Sequence, residues 1–480
     1  MTFLYYYGTA TYSFWKKRGV PYIKPKYPFL GTIESDLAME AEVQKEMYCT
    51  FKDEPFFGSF SFRQPVLFLR DPGLVEYILI KDFSLFTDRG FIGDANDPTL
   101  ANIVNLEGPV WKALRDKLNP AFSRFKLKGM QDQIVACSDE LVNFLSKYTD
   151  GTPFEARGLM IKFSMNVIAS CAFGINGDSF KNDSSLVKIQ QSIFAKPKNK
   201  FSHLVKLYIP WLAELLKMHQ ISQETQDMFG NVLQTVLNYR KMNDIHIKDL
   251  LTILDQLKRD KANIANKLKF DHTVFLSNAI VFFVAAFQTT STTLHFALYE
   301  LAVNQDVQER LYQEIINHIS QSDLKSNESF VNINYVKQVI SETLRKHPPA
   351  KAVSRKSLQQ YKLPGTEVVI PPGTIVTVPV YSLHNDPKYF PEPGKFDPER
   401  FGDVRKDRMV KNAFVPFGDG PRKCIGSRFA RLEVEIALTK IILNYKVTLN
   451  EKTNIPIKYR KGTLLLAVDG GVWINITKRS

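Results

Sequence analysis

One cysteine lies in a loop whose composition suits metal ligation. The segment Phe417-Gly-Asp-Gly-Pro-Arg-Lys-Cys424-Ile-Gly426 places a thiol behind two glycines and a basic pair, at the start of a predicted helix. The basic pair and the helix N-terminus favour thiolate over thiol. The first two glycines let backbone N–H groups approach the sulfur, and Gly426 leaves room for a flat ligand. Because no histidine stands nearby as a base, ligation of a metal is favoured over attack on a substrate. A buried structural cysteine in a glycine-rich turn is the alternative.

Composition excludes several other classes of protein. The chain has 480 residues, 44% of them hydrophobic, with 35 Phe, 19 Tyr and 23% charged residues, which excludes a disordered chain. Four Cys form no disulfide framework, so the folded part is expected to face a reducing compartment, and eight scattered His lack the spacing of a zinc site. The net charge of +14 favours an acidic partner or an anionic membrane surface. No basic tract interleaved with aromatics indicates nucleic-acid binding, and no nucleotide, zinc-protease or serine-hydrolase motif occurs.

The elements that must position the cysteine are mostly helical. Residues 60–80 read as a hairpin followed by a helix, and residues 105–320 have long helical periodicity. Residues 271–304 predict one long helix whose apolar centre, 279–287, is too short for a membrane span and therefore a core helix. A polar loop is expected at 318–332, short strands after 360, a helix after Cys424 and a terminal hairpin near 455–477. No linker or repeat divides the chain, so we predict one helix-rich domain with small sheets at one side.

The N-terminus has a different composition. Residues 1–15 are apolar and aromatic, and a Lys-Lys-Arg triplet follows at 16–18. Fifteen helical residues reach roughly 22 Å, short of the roughly 30 Å hydrocarbon core. A basic flank is typical of the cytoplasmic side of a signal anchor. The segment is interpreted as the inner end of a membrane anchor, with a buried or interfacial helix as the alternative, and three prolines between 21 and 28 form a stiff hinge.

Four motifs together resemble those of the cytochrome P-450 family. The cysteine loop matches FxxGxRxCxG, Glu342-Thr-Leu-Arg345 matches ExxR, Pro398-Glu-Arg-Phe401 matches PERF, and Trp111-Lys-Ala-Leu-Arg115 matches WxxxR. They occur in the family's order, and the resemblance covers residues 19–480, most closely to insect-type microsomal xenobiotic-metabolising members. It implies the mainly-α P-450 fold, with haem b between the long central helix and the cysteine loop. Residues 1–18 would be a partial anchor with its basic flank, and 19–480 the catalytic domain.

The resemblance also implies roles for particular residues. Cys424 would be the axial ligand of the haem iron. Further haem contacts fall on Arg89, Trp111, Arg115, Arg355, Phe417, Arg422 and Gly426. Glu342, Arg345 and Arg400 would form a buried structural ion triad. Substrate contacts fall on Val281, Val284, Ala350, Val353 and Leu464. Lys351 is expected to point away from a lipophilic pocket, and residues 201–216 to lie at a membrane-facing substrate entrance, with an internal helix pair as the alternative.

The long helix resembles the family's oxygen-activating segment. Ala285, Ala286, Gln288 and Thr289 align with a pattern that has glycine at the second position and an acid before the threonine. Thr289 would hydrogen-bond dioxygen and pass protons toward it. Ala286 narrows the helix opening. An amide at Gln288 can orient water but does not titrate, so proton delivery is expected to be slower or rerouted.

Electrons must come from another protein, since the chain shows no flavin or nicotinamide motif. The resemblance implies NADPH–cytochrome P-450 reductase, with a small cytochrome b as a further donor. Two basic groups could attract an acidic redox protein, or could be ordinary solvated surface. They are Lys112, Lys117, Lys126 and Lys128, and Arg422, Lys423, Arg428 and Arg431.

The resemblance thus implies a monooxygenase bound to the endoplasmic reticulum membrane, with its catalytic domain facing the cytosol. It would insert one oxygen atom from O2 into a lipophilic substrate, whose identity the sequence does not give. Two alternatives stay open. One is a haem-thiolate isomerase or dehydratase that needs no electron donor, and the other is a non-catalytic haem or lipophile carrier.

Overall fold

A computed structural model describes residues 2–25, 28, 31–32, 40–90, 100–181, 184–194, 221–321 and 327–479. The expected entrance segment, 201–216, lies outside these residues. The described α-helices are α1 Thr2–Thr9, α2 Ala41–Thr50, α3 Pro72–Glu76, α4 Gly108–Leu118, α5 Arg124–Leu145, α6 Ala156–Ile168, α7 Ser185–Ile193, α8 Gln223–Met242, α9 Leu250–Arg259, α10 His272–Val303, α11 Gln305–Ser320, α12 Asn334–Lys346, α13 Val380–His384, α14 Asp403–Lys406 and α15 Ser427–Asn444.

The described strands are short and form four small sheets. They are β1 Phe56–Ser61, β2 Gln64–Leu69, β3 Phe154–Glu155, β4 Asn263–Ile264, β5 Leu268–Lys269, β6 Val353–Lys356, β7 Tyr361–Lys362, β8 Val369–Ile370, β9 Ile375–Val378, β10 Tyr445–Leu449 and β11 Trp473–Lys478. The largest sheet has the order β1-β2-β9-β6, in which β2 and β9 run parallel and the other neighbours antiparallel. A second sheet has the order β10-β11-β3, and β4-β5 and β7-β8 form two-stranded ribbons.

The long helix α10 forms the centre of the main core. Its first turn is capped by Asp271, whose carboxylate accepts the N–H groups of Thr273 and Val274. Helices α6, α9, α12 and α15 pack against it. Among the described helices it is the one long and apolar enough to cross a membrane, but two-thirds of its most apolar window is buried by other elements. It is therefore the core helix that the sequence predicts.

The N-terminal segment has two parts. The Trp15 ring is fully buried, and its Nε1–H donates to the Ser59 carbonyl at 2.9 Å. The ring lies so close to β1 that a Cβ at Gly58 would come within 2.5 Å of it. By contrast, the three tyrosines 5–7 of α1 are exposed. Trp15 thus belongs to the core around the β1–β2 hairpin, and the assignment of residues 1–18 to an anchor stays a prediction.

The C-terminal β-hairpin was expected near residues 455–477, but its first strand lies earlier in the chain. β10 pairs with β11, in a register that places Tyr445 opposite Lys478 and Leu449 opposite Ile474. β10 follows α15 directly, so its apolar residues read as the end of the helix in the sequence. The expected first strand instead contributes an isolated bridge between Tyr459 and Val468.

Candidate active site

The cysteine loop is a tight turn held by its own backbone. The Cys424 N–H donates to the Phe417 carbonyl at 3.0 Å. Gly420 has φ +70°, and a Cβ there would lie 1.8 Å from the carbonyl oxygen of Leu79, so this position requires glycine. A Cβ at Gly426 would meet no atom within 4 Å, so open space lies beside the start of α15. The loop therefore presents the thiol next to room for a flat group.

The Cys424 thiol borders an internal space. Its surface is accessible, yet protein surrounds it closely enough for burial to raise its pKa. The Gly426 N–H and the positive charges of Arg89, Arg115 and Lys423 act in the opposite direction, toward the thiolate. Arg422 and Lys423 were the cations expected in this role, so Lys423 is confirmed whereas Arg89 and Arg115 take the place of Arg422. An accessible thiol enclosed by cations suits the binding of a positively charged metal centre as thiolate.

A stripe on α10 is accessible although the helix is otherwise buried. Val281, Val284, Ala285 and Thr289 lie on this stripe at helical spacing, as predicted. The Thr289 hydroxyl donates to the Ala285 carbonyl at 2.7 Å, which leaves its oxygen lone pairs free to accept a further hydrogen bond. Gln288 is buried and Ala286 is half-buried. The core helix thus leaves partly accessible the residues that the family pattern selects.

Three arginines lie close enough for their charges to affect one another. Arg355 and Arg422 are almost fully buried, and within the described part of the chain the Nε of each has no hydrogen-bond partner. Burial and the charge of Arg89 lower the pKa of Arg355 to about 9. Burial, Arg89 and Arg355 together lower that of Arg422 to about 9, although Asp88 and Glu107 partly oppose this. Buried guanidinium groups that repel one another indicate an anionic ligand. The two carboxylates of haem fit this cluster.

The WxxxR motif joins helix α4 to the cysteine loop. Arg115 donates from Nη2 to the Lys423 carbonyl at 2.7 Å. The Arg422 guanidinium carbon lies 4.1 Å from the centre of the buried Trp111 ring, and Arg422 also donates to the Leu106 carbonyl at 2.6 Å. Trp111 and Arg115 therefore share the helix face that meets the loop.

The predicted ion triad forms in the interior. Glu342 and Arg345 are completely buried and make two hydrogen bonds, both of 2.8 Å. Arg400 lies 3.4 Å from Glu342 Oε1, and the Asp397 N–H donates to the same oxygen at 3.0 Å. Arg345 also donates to the carbonyls of His384, Pro393 and Lys395. The pair thus holds α12 to the segment that precedes the cysteine loop.

One residue of this support was missed in the sequence. His384 is buried; its Nδ1 lies 3.3 Å from the Leu344 carbonyl, and its Nε2 accepts the Val415 N–H at 2.9 Å. Burial, then the charge of Arg345, lowers the His384 pKa to about 3, so the ring is neutral and can accept at Nε2. His384 therefore ties α12 to the start of the cysteine loop. A lone histidine carries no periodic signal that would have identified it.

The remaining substrate candidates lie on two segments that meet. Ala350 forms a bridge with Leu465, and Val353 begins β6. Leu464 is 74% exposed at the turn beside this bridge. Lys351 is buried and donates from Nζ to the Thr463 carbonyl at 2.6 Å. As expected, its ammonium is bound by backbone and not left in a lipophilic pocket.

The two basic groups are only partly available to a partner. Lys112, Lys117, Lys423 and Arg428 are exposed and Lys126 is half-exposed. The expectation was wrong for Arg422, which is buried under Trp111, and for Arg431, which packs over the Phe417 ring. Both turn inward because guanidinium groups can stack on aromatic rings. Lys128 is paired with Glu328 at 2.7 Å.

An exposed aromatic side chain lies within this basic surface. Phe125, in the first turn of α5, is 83% exposed, and exposed Arg124 and half-exposed Lys126 flank it. Its exposure was not expected from the sequence, because a helix position next to apolar residues is usually part of the core. A large apolar ring among cations is typical of a protein-binding surface.

Comparison with known proteins agrees with this architecture. A family model described as Cytochrome P450 matches residues 21–473. Probable cytochrome P450 6a20 of Drosophila melanogaster is 34% identical, with 100% of this chain and 98% of the relative covered. Cytochrome P450 9e2 of Blattella germanica is 35% identical, with 99% and 96% covered. Cytochrome P450 6j1 of Blattella germanica is also 35% identical, with 99% and 95% covered. These matches and the helix-rich structure confirm the predicted fold: the chain belongs to the cytochrome P450 family and is a P450 monooxygenase.

Proposed function

We propose that the chain is a haem-thiolate monooxygenase of the endoplasmic reticulum membrane that inserts one oxygen atom from O2 into a lipophilic substrate. Electrons would come from NADPH through a reductase, with a cytochrome b as a further donor. The observation that carries the proposal is the combination of an accessible but enclosed Cys424 thiol with the buried arginines 355 and 422, whose Nε atoms have no hydrogen-bond partner among the described residues. A thiolate-ligated iron porphyrin with two carboxylates meets both requirements.

Cys424 would hold the iron, while Arg89, Arg115, Arg355 and Arg422 hold the carboxylates. The haem, when bound, supplies the activation of dioxygen. The chain's own contribution on α10 is Thr289, whose hydroxyl can accept a hydrogen bond while it donates to Ala285. It would thereby orient a water or an oxygen species for protonation.

The substrate side is apolar. Val281, Val284, Ala350 and Val353 would exclude water and bind hydrocarbon, which favours a lipophilic substrate. The exposed turn at Leu464 would add a contact that varies with the substrate. Gln288 offers an amide where the family pattern has an acid, so proton delivery would depend on water held by Thr289.

The electron donor would dock on the exposed cations near α4 and the cysteine loop. Arg115 links these two elements directly, so Lys112, Lys117 and Lys423 belong to neighbouring parts of one structure. An acidic partner would be attracted by their charge, and Phe125 would supply an apolar contact. Membrane attachment is supported by the exposed tyrosines 5–7 and the cations at 16–18, a pattern typical of a membrane interface.

The carbon-monoxide difference spectrum of the reduced, haem-loaded protein tests the ligand assignment. The wild type should show the thiolate-type Soret band and Cys424→Ser should lose it. Cys49→Ser is the matched control, because Cys49 is an exposed thiol on α2, and it should retain the band. Retention of the band by Cys424→Ser would refute the assignment. Product formation with reductase and NADPH, compared with peroxide alone, tests the electron supply; turnover that needs neither would favour the isomerase alternative.

A further inference from the structure

A second cavity lies away from the cysteine loop. It has a volume of about 610 Å³. One face of α2 borders it through Glu42, Lys45, Glu46 and Cys49. The other lining residues are Tyr299, Glu300, Lys346, His347, Tyr381, Gly394, Pro456, Ile457 and Tyr459. Tyr299 is ten residues beyond Thr289 on α10, or about 15 Å along the helix axis. The cavity is thus separate from the site assigned to oxygen chemistry.

The back wall of this cavity is a buried chain of hydrogen bonds. His347 Nε2 lies 2.6 Å from Glu300 Oε1, and its Nδ1 lies 2.9 Å from the Tyr459 hydroxyl. Lys346 pairs with the same carboxylate at 2.9 Å. Because a carboxylate only accepts, His347 Nε2–H donates to Glu300, and Nδ1 forms a hydrogen bond with the Tyr459 hydroxyl. The His347 ring also stacks on Phe296 at 4.4 Å. The residues of the wall are therefore linked by both hydrogen bonds and ring packing.

His347 and Tyr459, which belong to this wall, are each followed along the chain by residues that would contact substrate. His347 is followed by two prolines and then Ala350. The Leu466 N–H donates to the Pro349 carbonyl at 3.1 Å, and Ala350 bridges to Leu465. Tyr459 lies on the same stretch of chain as Leu465. A displacement of His347 or Tyr459 is thus passed through two stiff prolines and a backbone pairing to the residues that would contact substrate.

The lining selects a particular kind of ligand. The charge of Glu300 is neutralised by its ion pair with Lys346. The other charged lining residues are two glutamates, Glu42 and Glu46, and one lysine, Lys45, so the α2 side of the cavity has a net negative charge. The rings of Tyr299, Tyr381 and Tyr459 and the side chain of Ile457 provide aromatic and apolar area. Carboxylates together with tyrosine faces favour an organic cation that carries an aromatic ring.

We propose that this cavity is an effector site for aromatic organic cations, and that its occupation changes ligand affinity at the haem through residues 347–353 and 459–466. The effect on turnover rests on the proposed function, whereas binding at the cavity does not. Couplings between such sites are typically about 5- to 150-fold in affinity.

A quaternary ammonium probe tests binding, because it cannot ligate iron. We would use 2-naphthylmethyl-trimethylammonium with the haem-loaded protein, and as control its neutral tert-butyl analogue. Bound probe should slow alkylation of the exposed Cys49 thiol by N-ethylmaleimide; Cys137 and Cys171 are buried. Glu42→Gln/Glu46→Gln should weaken binding by about 2- to 25-fold, since each exposed ion pair contributes between about 1.4-fold and fivefold. Glu314→Gln, an exposed glutamate on α11, should leave binding unchanged.

Coupling is measured as the change that saturating probe causes in the affinity of 1-phenylimidazole for the haem. The expected change is at least about fivefold in the wild type and smaller in Ile457→Trp, whose larger ring occupies part of the cavity. Equal binding of the cation and its neutral analogue, or no protection of Cys49, would overturn the site. Binding without any change in imidazole affinity would overturn the effector role. A protein that lacks the thiolate-type Soret band but still protects Cys49 would refute the proposed function alone.

Discussion

Replacement of Arg345 by methionine isolates the effect of a buried carboxylate that has lost its closest cation and keeps only Arg400 and the Asp397 N–H. Arg345 and Glu342 are fully buried and share two 2.8 Å hydrogen bonds. Removal of one partner of such a pair costs about 3–5 kcal/mol. Since domains unfold with only about 5–15 kcal/mol, Arg345→Met should lower the denaturation midpoint of the haem-loaded protein strongly.

The size of this loss should depend on pH. Burial raises the pKa of Glu342 even while Arg345 and the Asp397 N–H act to lower it, and without Arg345 it rises further. The unfolded carboxyl titrates near ~4.3. Between these two pKa values the native variant holds one proton more than the unfolded chain, so its stability falls as pH rises. The slope is at most about 1.4 kcal/mol per pH unit, and it applies over the pH range between the unfolded and the native pKa.

Urea unfolding at pH 6 and 8, followed by the Soret band and tryptophan fluorescence, measures this difference. Glu342→Gln/Arg345→Met is the matched control. It also removes the donor to the carbonyls of His384, Pro393 and Lys395, but it has no carboxyl at position 342 to titrate. The single variant should lose more stability than the control as pH rises. If the two variants show the same pH dependence, the reasoning about a trapped, protonated Glu342 is wrong.

Three further outcomes follow from the structure. Gln288→Glu should raise the ratio of product formed to NADPH consumed, measured with hydrogen peroxide release; a lower ratio would contradict slow proton delivery. Lys117→Glu and Phe125→Ser should each raise the reductase concentration needed for half-maximal turnover several-fold and leave peroxide-driven turnover unchanged, while Tyr239→Ser, exposed on α8, changes neither. Burial raises the pKa of Glu433 to about 8, so wild-type stability should fall between pH 5 and 8, and Glu433→Gln should flatten that fall in urea unfolding.

The sequence predicted those features that are carried by local pattern. The length and burial of α10 followed from periodicity, and the loop around Cys424 from its glycines and basic residues. The pairing of β10 with β11 did not, because it joins strands more than twenty residues apart and β10 looks like the end of a helix. His384 and Phe125 were also missed. The role of His384 depends on carbonyl and N–H groups brought together from α12 and the cysteine loop, and exposure of Phe125 depends on which face of α5 is covered.

The basic residues near the cysteine loop occupy two different environments. Arg89, Arg355 and Arg422 lie close together, and burial is the largest cause that lowers the pKa of each. The charge of Arg89 lowers the pKa values of Arg355 and Arg422 further. Such a cluster favours an anion inside the protein. Lys112 and Lys117 instead face solvent, where they can act only on a partner outside. The Arg422 guanidinium stacks on Trp111 and enters the interior, whereas the ammonium groups of Lys112 and Lys117 stay hydrated. Residue type alone does not set this difference, since Arg428 is exposed and Lys351 is buried. The division between internal and external anion sites therefore depends on whether a neighbouring ring or carbonyl receives the cation.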